Sequence, residues 1–371
     1  MPSPSQVAFR VPFLLALLAL LAGQGRAAAS EPGRQFVGFS TFSSFAGSDA
    51  GECRRHLVSP LIDPGIVWDQ LVVSWNWVGQ GSDGLTIEVQ VAYPDLETKF
   101  YHMGDWTFTP VRLARQSGSK QQDAQGFLDT DTLCVARKDG KVRLRLTVDA
   151  NWEQRLTFLG LSFCDTAAPP RPADAKSEAW GRSLEVQERC QGDYPEGASS
   201  WCSPTATSMA MNFWSNTLGR PELDHGVRET AAAINDPNWP GTGNWPFNTA
   251  FAGSHSGIRA YVARLASVAD LERWILAGVP VPASVSYNLL KGEDKPGNGH
   301  IVVCVGFTEA GDLIVNDPGR RQVRRVYPRA HFIRAWADSH NTAYLIHPAD
   351  HPTPSDPDGL WFDSGHPSPK P

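Results

Sequence analysis

From Arg34 to Asp165, short apolar runs alternate with polar and turn residues. Lys141-Val142-Arg143-Leu144-Arg145-Leu146-Thr147-Val148 keeps the two-residue period of a strand with one buried face. Leu71-Val72-Val73-Ser74-Trp75-Asn76-Trp77 and Leu85-Thr86-Ile87-Glu88-Val89-Gln90-Val91 are β-rich runs on either side of Gly79-Gln80-Gly81-Ser82-Asp83-Gly84. That pattern predicts a hairpin. Leu156 to Phe163 reads as a further strand. Many short strands between turns predict an all-β sandwich or jelly roll over residues 30–166. Such a domain serves either to dock on carbohydrate or cell wall, or as a purely structural accessory.

The pattern changes at Ala167-Ala168-Pro169-Pro170-Arg171-Pro172, which predicts an extended Pro/Ala linker over 167–183. A second domain over 184–347 opens with helical spacing: Ala206, Met209, Ala210, Phe213 and Trp214 follow Cys202 on one helix. Pro204 suits an early helical position, and Leu218-Gly219-Arg220-Pro221 ends the helix. Val268 to Ala277 predicts another helix, stopped by Gly278 and Pro280. Strands are predicted at Val281 to Tyr287, His300 to Phe307, Leu313 to Asn316 and Gln322 to Tyr327. Helix first and antiparallel strands after give an α+β domain. Pro, Asp, Ser and Gly dominate residues 348–371, which predicts a flexible tail.

Composition narrows the function classes. The chain has 371 residues, 41% hydrophobic and 19% charged, enough for two cored domains. Its net charge of −6 argues against a nucleic-acid partner. Thirteen tryptophans are many for this length and point to some at cleft walls. Arg10, the apolar run Val11 to Ala22 and Arg26-Ala27-Ala28-Ala29 read as a signal peptide over 1–29, cleaved before Ser30. The apolar run is short of the ~20 residues a full span needs, so no membrane span is expected in the mature chain. Secretion or periplasmic export follows. The six cysteines then face an oxidising compartment. If Cys202 is free, Cys304 on its apolar strand is the natural second free thiol. Cys53, Cys134, Cys164 and Cys190 are left for up to two bridges of unassigned pairing.

Candidate chemistry centres on Ser200-Trp201-Cys202-Ser203-Pro204, a turn running into a helix. A helix N-terminus favours a thiolate. A thiol nucleophile needs an imidazole to accept and return its proton, and that imidazole needs an orienting partner. His300 follows Gly297-Asn298-Gly299 and begins an apolar strand. Pairing Phe307 with Asp312 across Thr308-Glu309-Ala310-Gly311 puts position 317 opposite 302, so Asp317 shares a face with His300. A one-residue slip would reverse that face. Trp239-Pro240-Gly241-Thr242-Gly243-Asn244-Trp245-Pro246 reads equally as a cleft wall or a loop buttress, with Trp201, Asn244 and Trp245 as cleft candidates. Arg320-Arg321 and Arg324-Arg325 read as a solvated strand face in preference to a site for a substrate carboxylate. There is no H-E-x-x-H and no C-x-x-C, so no metal site or cofactor is expected.

Tyr194-Pro195-Glu196-Gly197, Trp201-Cys202-Ser203-Pro204-Thr205, Gly243-Asn244-Trp245-Pro246, Gly299-His300 and Val315-Asn316-Asp317-Pro318 occur in that order. Over Leu184 to Pro348 this resembles the bacteriocin-processing-peptidase-like family of papain-fold cysteine peptidases, in its secreted branch without a transporter domain. The resemblance implies a Cys202–His300–Asp317 triad and an oxyanion donor at Gln191, upstream of the nucleophile. It implies hydrolysis of peptide bonds in a peptide or protein substrate. The N-terminal half carries no part of it. A cell-wall peptide amidase or acyl transferase with the same triad stays open, as does an inactive binding protein with Cys202 in a disulfide.

Overall fold

The structure, a computed structural model, describes residues 33–79, 81–111, 113–169, 174–355 and 361–363. The expected signal peptide and most of the expected tail lie outside the described residues. Two six-stranded sheets form the N-terminal part. The first runs Trp361–Asp363, Arg34–Phe39, Leu156–Cys164, Gln70–Trp77, Thr132–Val135, Gly126–Asp129. The second runs Ala46–Gly51, Arg54–Val58, Lys141–Asp149, Gly84–Ala92, Tyr101–Thr107, Gln116–Ser117. Alternate residues such as Val37, Trp75, Ile87, Val89, Leu144 and Leu161 turn inward and share one apolar core, as the strand period requires.

Two expectations change here. Gln70–Trp77 and Gly84–Ala92 do not pair as a hairpin; they belong to different sheets. The Gly-rich connection between them is an arch. Gly79 N–H is held by the Ser254 carbonyl at 2.9 Å and Gly84 N–H by Asp149 Oδ2 at 2.7 Å. A Cβ at Gly79 would meet the Arg155 guanidinium at 1.8 Å, and its φ is +106°, so this corner needs glycine. The tail is not wholly free either, because Trp361–Asp363 adds a parallel strand beside Arg34–Phe39.

The C-terminal part is α+β, as expected. Its sheet runs Ile258–Arg264, Thr342–Pro348, Val281–Ser286, Gly299–Phe307, Leu313–Asn316, Arg324–Tyr327. The helix Cys202–Leu218 lies against this sheet, with Met209 in the same core as Val285 and Val303. It ends at Gly219 in the left-handed region, φ 64°, a helix stop that glycine adopts without a Cβ clash.

The two parts share cores rather than merely touch. Phe36, Val72 and Phe158 from the first sheet join the C-terminal core. Ile234, Phe247 and Phe251 join the N-terminal one. Ile258–Arg264 is an edge strand, which leaves a row of unpaired backbone groups. Side chains on the outer face of the first sheet meet that row. Asn76 donates to the Ala260 carbonyl at 2.6 Å and accepts from Ala260 N–H at 3.1 Å. Ser74 accepts from Val262 N–H and Ser162 from Arg264 N–H. Asn76 and Ser74 are buried polar residues in a largely apolar strand, and their partner is this edge.

The linker expected over 167–183 is docked along its second half. Leu184 N–H reaches the Val305 carbonyl and Phe307 N–H the Arg182 carbonyl. Trp180 Nε1 and Lys176 N–H both donate to the buried Glu272 carboxylate, which Arg329 also binds. All six cysteines are free: Cys164, Cys190 and Cys304 buried, Cys53 exposed, and Cys134 and Cys202 between these extremes.

Candidate active site

Cys202 is the first residue of the helix Cys202–Leu218, after Trp201 at the cap. Pro204 stands where an N–H would have no helical partner, so its ring costs nothing there. Thr205 closes the first turn twice, with its N–H and its hydroxyl both donating to the Trp201 carbonyl at 3.1 and 2.6 Å. Ser203 Oγ and the Tyr344 hydroxyl lie 2.9 Å apart, pinning the helix start to the sheet.

His300 sits on Gly299–Phe307, opposite Val285 of the neighbouring strand. Its Nε2 donates to Asp317 Oδ1 at 2.7 Å, and its ring is hydrogen-bonded to the Cys202 thiol. With Nε2 engaged, Nδ1 is the nitrogen left to face sulfur. The Tyr287 ring covers the imidazole at 4.5 Å between centroids. A Cβ on Gly319 would lie 3.0 Å from the imidazole Cε1, so the chain beyond Asp317 passes close against the ring. Asp317 is fully buried and accepts three bonds: from His300, from Gly319 N–H at 2.9 Å and from the Tyr327 hydroxyl at 2.6 Å. Tyr327 was not foreseen; nothing in its sequence context marks it, and only the pairing of Arg324–Tyr327 with Leu313–Asn316 brings it here.

The electrostatics follow from these contacts. Burial pushes the Cys202 thiol up, but the hydrogen bond to His300, its charge, and the backbone N–H groups of Ile301 and Ser203 outweigh this and bring it below its ordinary value. Burial pushes His300 down, but its bonds to Asp317 and Cys202 carry it up to about 9. Burial raises Asp317, and the bond and charge of His300 with the Tyr327 and Gly319 bonds bring it below the ordinary carboxylate range. Both shifts act in the same sense, favouring a thiolate beside an imidazolium. Cys304 is the opposite case: burial pushes its thiol up to about 12 and it stays neutral.

Gln191 is buried, and its Nε2 donates to the Ala198 carbonyl at 2.8 Å. The second N–H of the amide is unused by that bond. Its Oε1 is buried without a partner among the described residues. Gln191 N–H donates to the Pro318 carbonyl at 2.9 Å, tying this residue to the segment just after Asp317.

A cleft of about 390 Å³ opens at the thiol, lined by Cys202, His300, Trp239, Gly243 and Trp245 among others. Trp239 and Trp245 are therefore cleft walls, whereas Asn244 is the buttress: it is buried, its Oδ1 accepts from Phe247 N–H and its Nδ2 donates to Asp236. Trp201 lies against Tyr194, 6.1 Å between ring centroids, and does not line this cleft. A residue set missed by sequence reasoning also lines it: Asp129, Thr130, Asp131 and Thr132, the hairpin tip of the first N-terminal sheet. Of the arginines, Arg324 anchors the carbonyls of Leu184 and Val186 and Arg320 covers the Tyr287 ring, while the exposed Arg321 pairs with Asp193.

Among the described residues no group of histidine, cysteine or acidic side chains has metal-binding geometry, and no helix is long and apolar enough to cross a membrane.

Residues 183–344 match the Peptidase C39 like family. Residues 53–158 match the Peptidase C39 N-terminal domain, so the N-terminal half, expected to lie outside any resemblance, has its own match. None of the curated proteins compared with the chain matches it. A crystal structure described as a C39-like peptidase from Bacillus anthracis matches with 15% identity and a TM-score of 0.32, over 48% of this chain and 98% of that one. The two matches, over residues 53–158 and 183–344, support a cysteine peptidase of the C39-like, papain-like kind.

Proposed function

We propose that the chain is an exported cysteine peptidase that works through Cys202, His300 and Asp317. The observation that carries this is the continuous hydrogen-bonded line from the Cys202 thiol through His300 to a buried Asp317, at the mouth of a cleft. The thiolate attacks the scissile carbonyl. The tetrahedral oxyanion is held by the Cys202 backbone N–H and the second N–H of Gln191 Nε2. His300 then gives its proton to the leaving amine, and the acyl-enzyme forms. Water, deprotonated by His300, hydrolyses the thioester and restores the ion pair.

The test is site-resolved alkylation with iodoacetamide beside a peptide-library cleavage profile. Cys202 is expected to alkylate selectively at neutral pH, well ahead of exposed Cys53, and the same treatment is expected to stop cleavage in step. Labelling of Cys202 only after reduction, with no peptide cleaved, would overturn the reading and favour a binding protein. Export rests on the apolar run Val11 to Ala22 and the small-residue site after Arg26. N-terminal sequencing of the mature protein is expected to begin at Ser30; an intact Met1 chain in the cell pellet would refute export.

A further inference from the structure

The hairpin Gly126–Asp129 and Thr132–Val135 belongs to the N-terminal sheet, yet its two-residue tip reaches the catalytic cleft. Thr130 takes φ +55° to make this tight turn. The tip is fastened in place: Asp131 Oδ2 accepts the Trp245 N–H at 2.8 Å, and its Oδ1 accepts from the Thr132 hydroxyl at 3.0 Å. Trp245 opens the helix Trp245–Gly253, whose first N–H groups have no partner within the helix. Asp131 of one part therefore caps a cleft helix of the other. With both its oxygens engaged, Asp131 is a fastener.

Asp129 differs. It is exposed, it lines the cleft, and no ion pair neutralises it among the described residues. Lysine and arginine are absent from the described lining of this cleft. Its walls include Trp239 and Trp245, the side chain whose ring attracts cations best. Trp239 is 45% exposed, and its ring lies over Gly243, where a Cβ would come within 2.9 Å. A long cationic side chain has aromatic surface for its stem and a free carboxylate for its head.

We infer that Asp129 is a specificity-determining residue, which selects a lysine or arginine side chain of the peptide substrate beside the bond that Cys202 attacks. The N-terminal part is then a component of the substrate site. This rests on the peptidase reading, so the test has one arm that needs no peptide cleavage.

In that arm, Cys202 is modified by a trimethylammonium-bearing and by a sulfonate-bearing methanethiosulfonate, and rates are read by peptide mapping. The thiolate attacks the sulfenyl sulfur, a disulfide forms and sulfinate leaves, whatever the enzyme does to peptides. Exposed Cys53 serves as the internal reference. The cationic-to-anionic rate ratio at Cys202 is expected to fall roughly tenfold in Asp129→Asn, the effect of losing one nearby charge in partly screened surroundings. An unchanged ratio overturns the inference. In the second arm, matched fluorogenic peptides carry Lys, Leu or Glu at each position around the scissile bond. Wild-type kcat/KM is expected to favour Lys at one position, Asp129→Asn to erase that preference and Asp129→Lys to turn it toward Glu. No Lys preference at any position also overturns it. If the reagent ratio falls as expected but no peptide is cleaved, the cationic subsite stands and the peptidase reading fails.

Discussion

Cys202→Ala is expected to lower kcat/KM by at least about 10⁴-fold, the scale on which covalent catalysis fails when its nucleophile is removed. No neighbouring group can substitute. Ser203 is adjacent in sequence, but it is fully buried and its hydroxyl is engaged by Tyr344 at 2.9 Å. A hydroxyl there would also lack the low pKa that makes sulfur reactive at neutral pH. Cys304 is buried in the sheet, with its thiol pushed up to about 12. What survives is the donor pair for the oxyanion and the binding of the cleft. The variant should fold, because Cys202 is half-buried at a helix start and alanine suits that position. Far-UV circular dichroism and the thermal midpoint check this while cleavage of the best library peptide is measured. Activity within tenfold of wild type in a folded Cys202→Ala protein would falsify the nucleophile assignment.

The nucleophile's surroundings were legible because local rules determine them. A helix start after a turn, Pro204 in the first turn and Gly219 at the end are each set by residues close in sequence. The hairpin that joins His300 to Asp317 is more instructive. The expected pairing of Phe307 with Asp312 is off by one: Phe307 faces Leu313 and Gly306 faces Ile314. That slip alone would turn Asp317 to the wrong face. A bulge between Cys304 and Gly306 absorbs one residue, so Cys304 faces Val315 and Val303 faces Asn316. Continuing this register sets 317 opposite 302, where the shorter loop would have put it. The bulge has a cause that lies far away in the chain. Gly306 is covered by the Arg182 carbonyl, 2.2 Å from where a Cβ would be, and pairs with Ser183. The docked segment 180–184 and the register of the catalytic hairpin are thus one feature.

What was not legible depends on surfaces that meet only after folding. Trp245–Gly253 is buried nearly all round, so it shows no polar face and no helical period. Ile258–Arg264 is flanked by both parts of the molecule and reads as neither amphipathic strand nor helix. The arch after Trp77 carries the turn residues of a hairpin, but the partner of each flanking strand comes from further along the chain. The hairpin tip at Asp129 gave no signal because the cleft it lines is made by another part of the sequence. A single observation joins these misses: the N-terminal sheet supplies both the cover for an edge strand and a wall of the cleft.

Asp317→Asn is expected to lower kcat by roughly 10²- to 10⁴-fold, the range for misorienting a catalytic imidazole, and to leave KM nearly unchanged. The carboxylate accepts from His300, Gly319 N–H and Tyr327 at once. An asparagine amide offers one acceptor oxygen, so its NH₂ must face either the imidazole or the Tyr327 hydroxyl. If it faces His300, Nε2 must become the acceptor and Nδ1 carries the hydrogen, which leaves no base toward sulfur. If it faces Tyr327, the orientation holds but the charge is gone. The pH profile reports the lost charge in either case. In the wild type the alkaline limb of kcat/KM is expected where His300 loses its proton, near pH 9, with the thiolate favoured by the same contacts. Asp317 holds that limb up because its negative charge favours the imidazolium; removing the charge lowers the His300 pKa and moves the limb to lower pH. The same loss weakens the field that favours the thiolate, so alkylation of Cys202 at neutral pH slows as well. A folded Asp317→Asn protein whose alkaline limb stays near pH 9 would show that something other than this carboxylate sets the charge on His300.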